Sequence, residues 1–156
     1  MKHSYYTGIA CIIFFLLAGS LSFASVPGTT YHVTRVNDGN TISIRVKSFA
    51  GIPLKIEQVR LIGVDAPGLR QEPWGSLAKK YLKKLINQND WIVNIEFDTQ
   101  QRDRNGKLTA YLWNKKGELI NEKLLESGYV RFRPPAPNIK YAGRLAAAAQ
   151  KAHPKK

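Results

Sequence analysis

The stretch from residue 54 to residue 67, LKIEQVRLIGVDAP, decides the fold of this 156-residue chain. Apolar side chains recur through its first eight residues as they do in a strand, and the spacing slips near Gln58, which predicts a bulge there. The strand leads from Arg60 into Asp65, which stands just before Ala66 and a proline. An arginine binds phosphate and a carboxylate binds a hard cation, so this strand end is a candidate site.

Two further strands precede this stretch. Residues 31–36 and 41–46 alternate between apolar and polar side chains and are rich in β-branched residues, which predicts a pair of strands. Asp38, Gly39 and Asn40 lie between them and are typical of a hairpin turn. The turn places two more oxygen-bearing side chains at the end of a strand.

The periodicity changes after residue 75, where apolar positions return with the spacing of one helical face. The predicted elements are a helix at 76–87, strands at 91–97 and 108–113, a helix at 119–126, an extended piece at 129–132 and a helix at 141–151. Five short strands with an interposed helix fit a small barrel better than a sandwich. We therefore predict an α+β, mainly β fold, a five-stranded OB-type barrel with about three helices.

The first 24 residues have the pattern of a secretory signal peptide. A basic start at Lys2 precedes a dense apolar run at residues 9–17, and Ser22 and Ala24 supply the small residues of a cleavage site. The alternative is an uncleaved anchor, although the run is short for a bilayer. We predict cleavage after Ala24, export to the periplasm or the medium, and one domain over residues 25–156.

The predicted mature chain is strongly basic. Without Lys2 it keeps 23 basic and 11 acidic residues, a net charge of +12. Such a charge predicts attraction to polyanions, with nucleic acid as the leading candidate and anionic lipid or cell-wall polymer as the alternative. Cys11, the only cysteine, falls in the signal peptide, which leaves no disulfide and no thiolate metal site. We expect a monomer.

The chain resembles the staphylococcal nuclease (thermonuclease) family. Six motifs carry the resemblance in family order, and they span roughly residues 30–150: Asp38-Gly39-Asn40-Thr41, Arg60-Leu61 through Asp65-Ala66-Pro67, Gln71-Glu72-Pro73-Trp74-Gly75, Glu96-Phe97-Asp98, Asp103-Arg104-Asn105-Gly106-Lys107, and Asn121 to Gly128. No single motif is decisive, whereas six in family order at compatible spacings are a strong signal. The resemblance implies an OB-type barrel with three helices, in agreement with the predicted elements.

The resemblance also implies a function, the hydrolysis of DNA and RNA phosphodiester bonds with one Ca²⁺. It implies that Asp38 lies near the metal, and that Asn40, Asp65 and the Ala66 carbonyl bind it. Arg60 would bind the phosphate, and Lys107 falls where the family has a second arginine. Gly68 falls where the family has its catalytic glutamate.

Three of these positions depart from the family pattern. Asn40 keeps an oxygen but loses a charge, and Lys107 keeps a charge but loses the two-pronged donor of arginine. Gly68 removes the candidate base, for which Glu72, four residues on, is the available substitute. Losing such groups together predicts a severe loss of rate.

Three hypotheses follow from the sequence. The first is a nuclease of reduced rate, with Arg60, Lys107 and Glu72 as catalytic residues. The second is a catalytically inactive module that binds nucleic acid. For either reading, Arg131, Phe132 and Arg133 form a basic and aromatic patch suited to stacking a base and holding phosphates, although Phe132 is equally suited to the core. A third reading is a cationic envelope protein that binds cell-wall polymer.

Overall fold

A closed barrel of five strands organises the computed structural model, which describes residues 26–46, 55–134 and 136–152. The elements are β1 (Thr29–Val36), β2 (Thr41–Val46), β3 (Lys55–Leu61), β4 (Val64–Asp65), α1 (Trp74–Asn87), β5 (Ile92–Glu96), β6 (Leu108–Trp113), α2 (Ile120–Glu126), β7 (Arg131–Phe132) and α3 (Ala142–Lys151). The predicted signal peptide, residues 1–24, lies outside the described residues. None of the helices in the described ranges is long and apolar enough to cross a bilayer.

The strands follow the order β1-β2-β3-β6-β5, and β5 returns to pair with β1. Neighbours are antiparallel except β3 and β6, which run parallel. This arrangement confirms the predicted five-stranded barrel with three helices. The predicted bounds of the elements agree with the observed ones to within two residues.

Alternating side chains of the strands fill the barrel. Ile42 and Ile44 of β2 are wholly buried, as are Val59 and, nearly so, Leu61 of β3. Helix α1 covers the barrel with the buried side chains Ala78, Leu82 and Ile86, and α3 contributes Leu145 and Ala148. Removal of this apolar surface from water is the main source of stability.

The predicted bulge near Gln58 is wrong. The pairing of β2 with β3 runs without interruption from Thr41 opposite Arg60 to Val46 opposite Lys55. The apolar spacing slips because Ile56 faces solvent, with 53% of its surface exposed. The irregularity lies in β1, where the register with β2 shifts between Val33 and Arg35.

A small second sheet joins two distant parts of the chain. In it β4 pairs with β7, so that Val64 lies opposite Phe132 and Asp65 opposite Arg131. The backbone amide of Arg133 donates to the carbonyl of Gly63 at 3.1 Å and extends this pairing. The sheet therefore brings the segment after α2 against the strand end that carries Asp65.

The buried amide of Asn121 fixes α2 to this region. Its Oδ1 accepts the backbone amide of Leu112 at 2.9 Å, and its Nδ2 donates to the carbonyl of Ile62 at 2.8 Å. Asn121 has no exposed surface, so both bonds replace contacts with water. The turn between β3 and β4 is thereby held to both α2 and β6.

Candidate functional site

The turn between β1 and β2 meets β4 at one corner of the barrel. Asp38 Oδ1 accepts the backbone amide of Asn40 at 2.9 Å, which closes the turn. Asn40 is 94% buried, and its Nδ2 donates to the carbonyl of Val64 at 3.0 Å. Its backbone carbonyl accepts the amide of Leu61 at 2.9 Å. These bonds seat the turn directly against the strand that leads to Asp65.

Gly39 lets the turn approach this closely. A Cβ atom at Gly39 would lie 2.6 Å from the Cβ of Ala78 and 2.7 Å from the Cβ of Ala66, closer than carbon atoms pack. Only glycine fits between helix α1 and the segment after β4. The predicted metal-site residues Asp38, Asn40, Asp65 and Ala66 are therefore brought to one corner, at which their roles remain predictions.

Arg60 and Asp65 face one another at this corner. Arg60 Nη2 lies 3.5 Å from Asp65 Oδ1, and the two side chains are 33% and 47% exposed. Arg60 stands opposite Thr41 in the barrel, which places it beside the Asp38–Asn40 turn. An exposed pair at this distance contributes little to stability, so both groups are available to a ligand.

An open cavity of about 380 Å³ adjoins Arg60. Its polar and charged lining includes Arg60, Gln100, Asp103, Arg104, Arg133 and Asn138. Three guanidinium groups on one cavity suit the oxygen atoms of a phosphate, which arginine binds with paired donors. The cavity is therefore a candidate site for a phosphodiester.

Arg104 lines this cavity, whereas Lys107 is not among the described residues that do so. Asp103 Oδ1 accepts the backbone amides of Asn105 at 2.9 Å and Lys107 at 3.0 Å, which folds the loop into a tight turn. Sequence reasoning singled out position 107 and missed Arg104. The signal was present, since Arg104 lies in the same motif.

The far wall of the cavity is held by a buried amide. Asn138 Oδ1 accepts the backbone amide of Gln100 at 2.7 Å, and Asn138 Nδ2 donates to the carbonyl of Gln100 at 2.9 Å. The Tyr111 hydroxyl lies 3.1 Å from both Asp98 Oδ2 and the Asn138 carbonyl. Burial, and then its contact with Asp98, raises the pKa of Tyr111, so this phenol stays neutral, and its hydroxyl links Asp98 to Asn138.

The carboxylate of Asp98 does not line the cavity but is linked to Asn138 through the Tyr111 hydroxyl. Burial alone would raise the pKa of Asp98, but hydrogen bonds from the amides of Lys140 and Thr99 and from Tyr111 outweigh it and lower the pKa below the ordinary 3.8. Asp98 is therefore ionised and engaged near neutral pH. It holds the segment around Lys140 against the barrel.

Gly68 and Glu72 lie apart from the lining of this cavity. The Gly68 amide donates to Gln71 Oε1 at 2.7 Å, and a Cβ atom at Gly68 would contact only that oxygen, at 3.7 Å. The Glu72 carboxylate accepts the hydroxyl of Ser76 in the first turn of α1. The candidate base is thus engaged by the helix, and position 68 has room for a side chain.

The predicted basic and aromatic patch is divided between two cavities. Arg133 lines the first, whereas Arg131 and Phe132 line a second, of about 710 Å³, together with Trp74 and Tyr129. Phe132 is partly buried and packs against the core, which agrees with its alternative assignment. The two arginines of the patch therefore line different cavities.

The described donors do not fit a firmly held Ca²⁺. The described residues contain no group of three or more histidine, cysteine, aspartate or glutamate side chains placed to hold a metal. Asp65 Oδ1 faces guanidinium groups, and the side-chain oxygen of Asn40 accepts the Thr41 hydroxyl at 3.1 Å. Ca²⁺ takes six to eight oxygen ligands and binds more tightly as their negative charge rises.

The fold is an OB-type barrel, and its arginine-lined cavity lies beside the half-exposed carboxylate of Asp65. These two features define a class of proteins suited to binding anionic polymers. Comparison with known proteins narrows the class. The family model described as staphylococcal nuclease homologue matches residues 58–156. The chain is 32% identical to the thermonuclease of Staphylococcus hyicus over 164 residues, which cover 94% of this chain and 91% of that protein.

A second relative supports the same assignment. The thermonuclease of Staphylococcus intermedius is 37% identical over 126 residues, which cover 77% of this chain and 69% of that protein. The chain therefore belongs to the staphylococcal nuclease family, as its motifs predicted.

Proposed function

We propose that this protein binds nucleic acid in the arginine-lined cavity and hydrolyses its phosphodiester bonds at a reduced rate. The observation that carries the proposal is the pairing of Arg60 with Asp65 beside a cavity that Arg104 and Arg133 also line. The net charge and the names of both relatives support a nucleic-acid substrate, DNA or RNA.

The proposed roles follow from charge. Arg60 binds the phosphate and stabilises the charge that develops on its oxygen atoms during hydrolysis. Lys107 and Arg104 add positive charge from the neighbouring loop. Glu72 must leave Ser76 before it can activate water, so attack depends on that movement or on solvent. Because Ser76 engages Glu72 and Gly68 has no side chain, we expect a low rate.

A Ca²⁺-type cofactor is proposed from the family resemblance alone. Because the donors at the corner do not fit a firmly held ion, we expect any metal dependence to require high ion concentrations. We also propose that residues 1–24 direct export to the periplasm or the medium, and that residues 25–156 act as a monomer. N-terminal sequencing of the exported form and its mass in solution test these two points.

Cleavage of single-stranded DNA tests the proposal. The purified protein, Arg60→Ala and Arg45→Ala are compared with Ca²⁺ and with EDTA. Arg45 is an exposed arginine of β2 that lines neither cavity, so its variant controls for loss of charge. We expect Arg60→Ala to lower cleavage by about 10²-fold or more. Cleavage that survives in Arg60→Ala as in Arg45→Ala would refute the proposed site.

One observation favours a second function, a catalytically inactive module that binds nucleic acid. Neither position expected to supply a base reaches the cavity, since Gly68 lacks a side chain and Glu72 bonds to Ser76. This function predicts binding that weakens steeply with salt and no cleavage under any metal condition. Turnover that co-purifies with the protein and vanishes in Arg60→Ala would rule it out.

A further inference from the structure

Arg133 approaches the same carboxylate oxygen as Arg60. Its Nη1 lies 3.9 Å from Asp65 Oδ1, and Arg60 Nη2 lies 3.5 Å from that atom. Charge-assisted hydrogen bonds are about 2.7–2.9 Å long, so both guanidinium groups stand off from the carboxylate. Their donors remain available to an anion that enters the cavity.

The backbone fixes the position of Arg133. Its amide donates to the carbonyl of Gly63, and the preceding residue, Phe132, pairs with Val64. Gly63 has a φ of +76°, and a Cβ atom there would clash with Leu145 of α3. Arg133 is therefore presented to Asp65 by a paired and packed backbone, even though 64% of its side chain is exposed.

The groups nearest Asp65 Oδ1 favour an anion over a cation. Two guanidinium groups lie 3.5 Å and 3.9 Å from this one carboxylate oxygen, so positive charge exceeds negative charge around that atom. Asn40 is neutral where the family resemblance places an aspartate, and the remaining acidic side chain of the turn, Asp38, accepts the Asn40 amide with its Oδ1. A divalent cation at Asp65 would be repelled by two like charges a few ångströms away, whereas a phosphate would be attracted by them.

We propose that Arg133 supplies from the protein the positive charge that a divalent cation would otherwise supply beside Asp65. The corner then binds a phosphodiester without any metal, with Asp65 orienting the two guanidinium groups. This inference rests on the proposed function, because it places the phosphodiester beside Arg60. It adds that recognition of the anion is independent of Ca²⁺, whatever the requirement of hydrolysis.

Binding of a fluorescent oligothymidylate of about ten nucleotides to the full protein tests the inference. Affinity is measured in EDTA and in excess Ca²⁺. We expect the unmodified protein to differ by less than about threefold between the two conditions. Arg133→Ala should lose about tenfold in EDTA and regain about threefold in Ca²⁺, because Asp65 no longer faces a second guanidinium.

Arg131→Ala is the matched control. Arg131 lies two residues away and is exposed, and although it lines the second cavity together with Asp65, the described ion pairs of that carboxylate are with Arg60 and Arg133. Its variant removes the same charge and should lose less affinity than Arg133→Ala, equally in EDTA and Ca²⁺. Circular dichroism checks folding, and Arg133→Gln, which keeps most of the side-chain stem, replaces the alanine variant if that does not fold.

Three results would overturn the inference in distinguishable ways. Binding that EDTA abolishes in the unmodified protein contradicts it directly. Equal losses of affinity in the Arg133→Ala and Arg131→Ala variants, in EDTA and in Ca²⁺, would show that Arg133 contributes only to the overall positive charge. In either case, weak binding by Arg60→Ala leaves the proposed function standing. Normal binding by Arg60→Ala removes the proposed function and, with it, this inference.

Discussion

Glu96 and Asp65 are two carboxylates of one barrel that differ in burial and in how closely basic side chains approach them. Glu96 is 9% exposed, and its carboxylate accepts bonds from Trp113 Nε1 at 2.8 Å, from the Tyr141 hydroxyl at 3.1 Å and from Lys140 Nζ. Asp65 is half exposed, and its two guanidinium neighbours stand off. A saturated, buried carboxylate holds the fold together, whereas an exposed carboxylate whose partners stand off leaves the donors of those partners available to a ligand.

The two clusters are connected through the chain. Tyr141 packs edge-on against Tyr111, with ring centroids 4.8 Å apart, and against Trp113 at 5.5 Å. This packing fixes the segment that contains Asn138, which forms the far wall of the arginine-lined cavity. The closed cluster around Glu96 is thus the support for the open cluster around Asp65.

Adding a carboxylate to the open cluster should have the largest effect. Gly68→Glu restores a side chain where the family resemblance places a base, at a position with room for it. We expect Ca²⁺-dependent cleavage of single-stranded DNA to rise by about 10²-fold. Leu69→Glu, which adds the same charge one exposed residue away, is the control, and an equal rise there would show that the position is immaterial.

Breaking the closed cluster should mainly cost stability. Glu96→Ala leaves the Trp113 indole and the Tyr141 hydroxyl without their acceptor, so we expect the free energy of unfolding to fall by about 2–3 kcal/mol. Urea unfolding measures it. Glu126→Ala, an exposed carboxylate of α2, should change stability by less than about 0.5 kcal/mol. A similar loss of stability in Glu96→Ala and Glu126→Ala would contradict the structural role assigned to Glu96.

Neutralising the exposed carboxylate of Asp65 should change binding more than stability. Asp65→Asn removes the charge that competes with phosphate for Arg60 and Arg133, so we expect oligothymidylate to bind about threefold more tightly in EDTA. Stability should change by less than about 1 kcal/mol. Any Ca²⁺-dependent cleavage should decrease, and cleavage that persists unchanged in this variant would count against a metal role for Asp65.

A third carboxylate, Glu57, should give the smallest effect, seen in acid. Hydrogen bonds from Arg102 and then Lys55 hold the pKa of Glu57 below its ordinary 4.5. Because the folded pKa is lowered, this stabilisation is complete above the unfolded value and is lost as the pH falls through the folded pKa. Urea unfolding from pH 6 to 3 should show a shallower decline in Glu57→Gln than in Glu126→Gln.

Most of the fold follows from local patterns in the sequence. Alternation in β1 and β2 and the helical spacing in α1 gave the correct type and nearly the correct bounds, because the apolar residues that make each pattern face the core. The slip near Gln58 misled, since nothing local shows that Ile56 faces solvent. Strand β4 was missed because it has two residues and exists only through pairing with β7, far along the chain.

Part of the candidate site also follows from the sequence, and part depends on contacts between distant segments. The motifs led to Asp38, Asn40, Arg60 and Asp65, and the fold brings these to one corner, although their roles remain untested. Arg133 was expected to contact nucleic acid, but its approach to Asp65 depends on the β4–β7 pairing, which the sequence did not reveal. The choice of Arg104 over Lys107 depends likewise on how Asp103 turns the loop.

The close packing of Gly39 against Ala66 and Ala78 separates the shape of this corner from its chemistry. Gly39 packs against the methyl side chains of Ala66 and Ala78, which carry no reactive group. Side chains that do not themselves hold the turn, unlike those of Asp38 and Asn40, can therefore be exchanged without reshaping the corner. For an engineer, residues 39, 66 and 78 form a frame to leave untouched, while position 68 and the loop at 103–107 are the places to diversify. The same separation lets a lineage lose a reaction and later regain it on an unchanged scaffold.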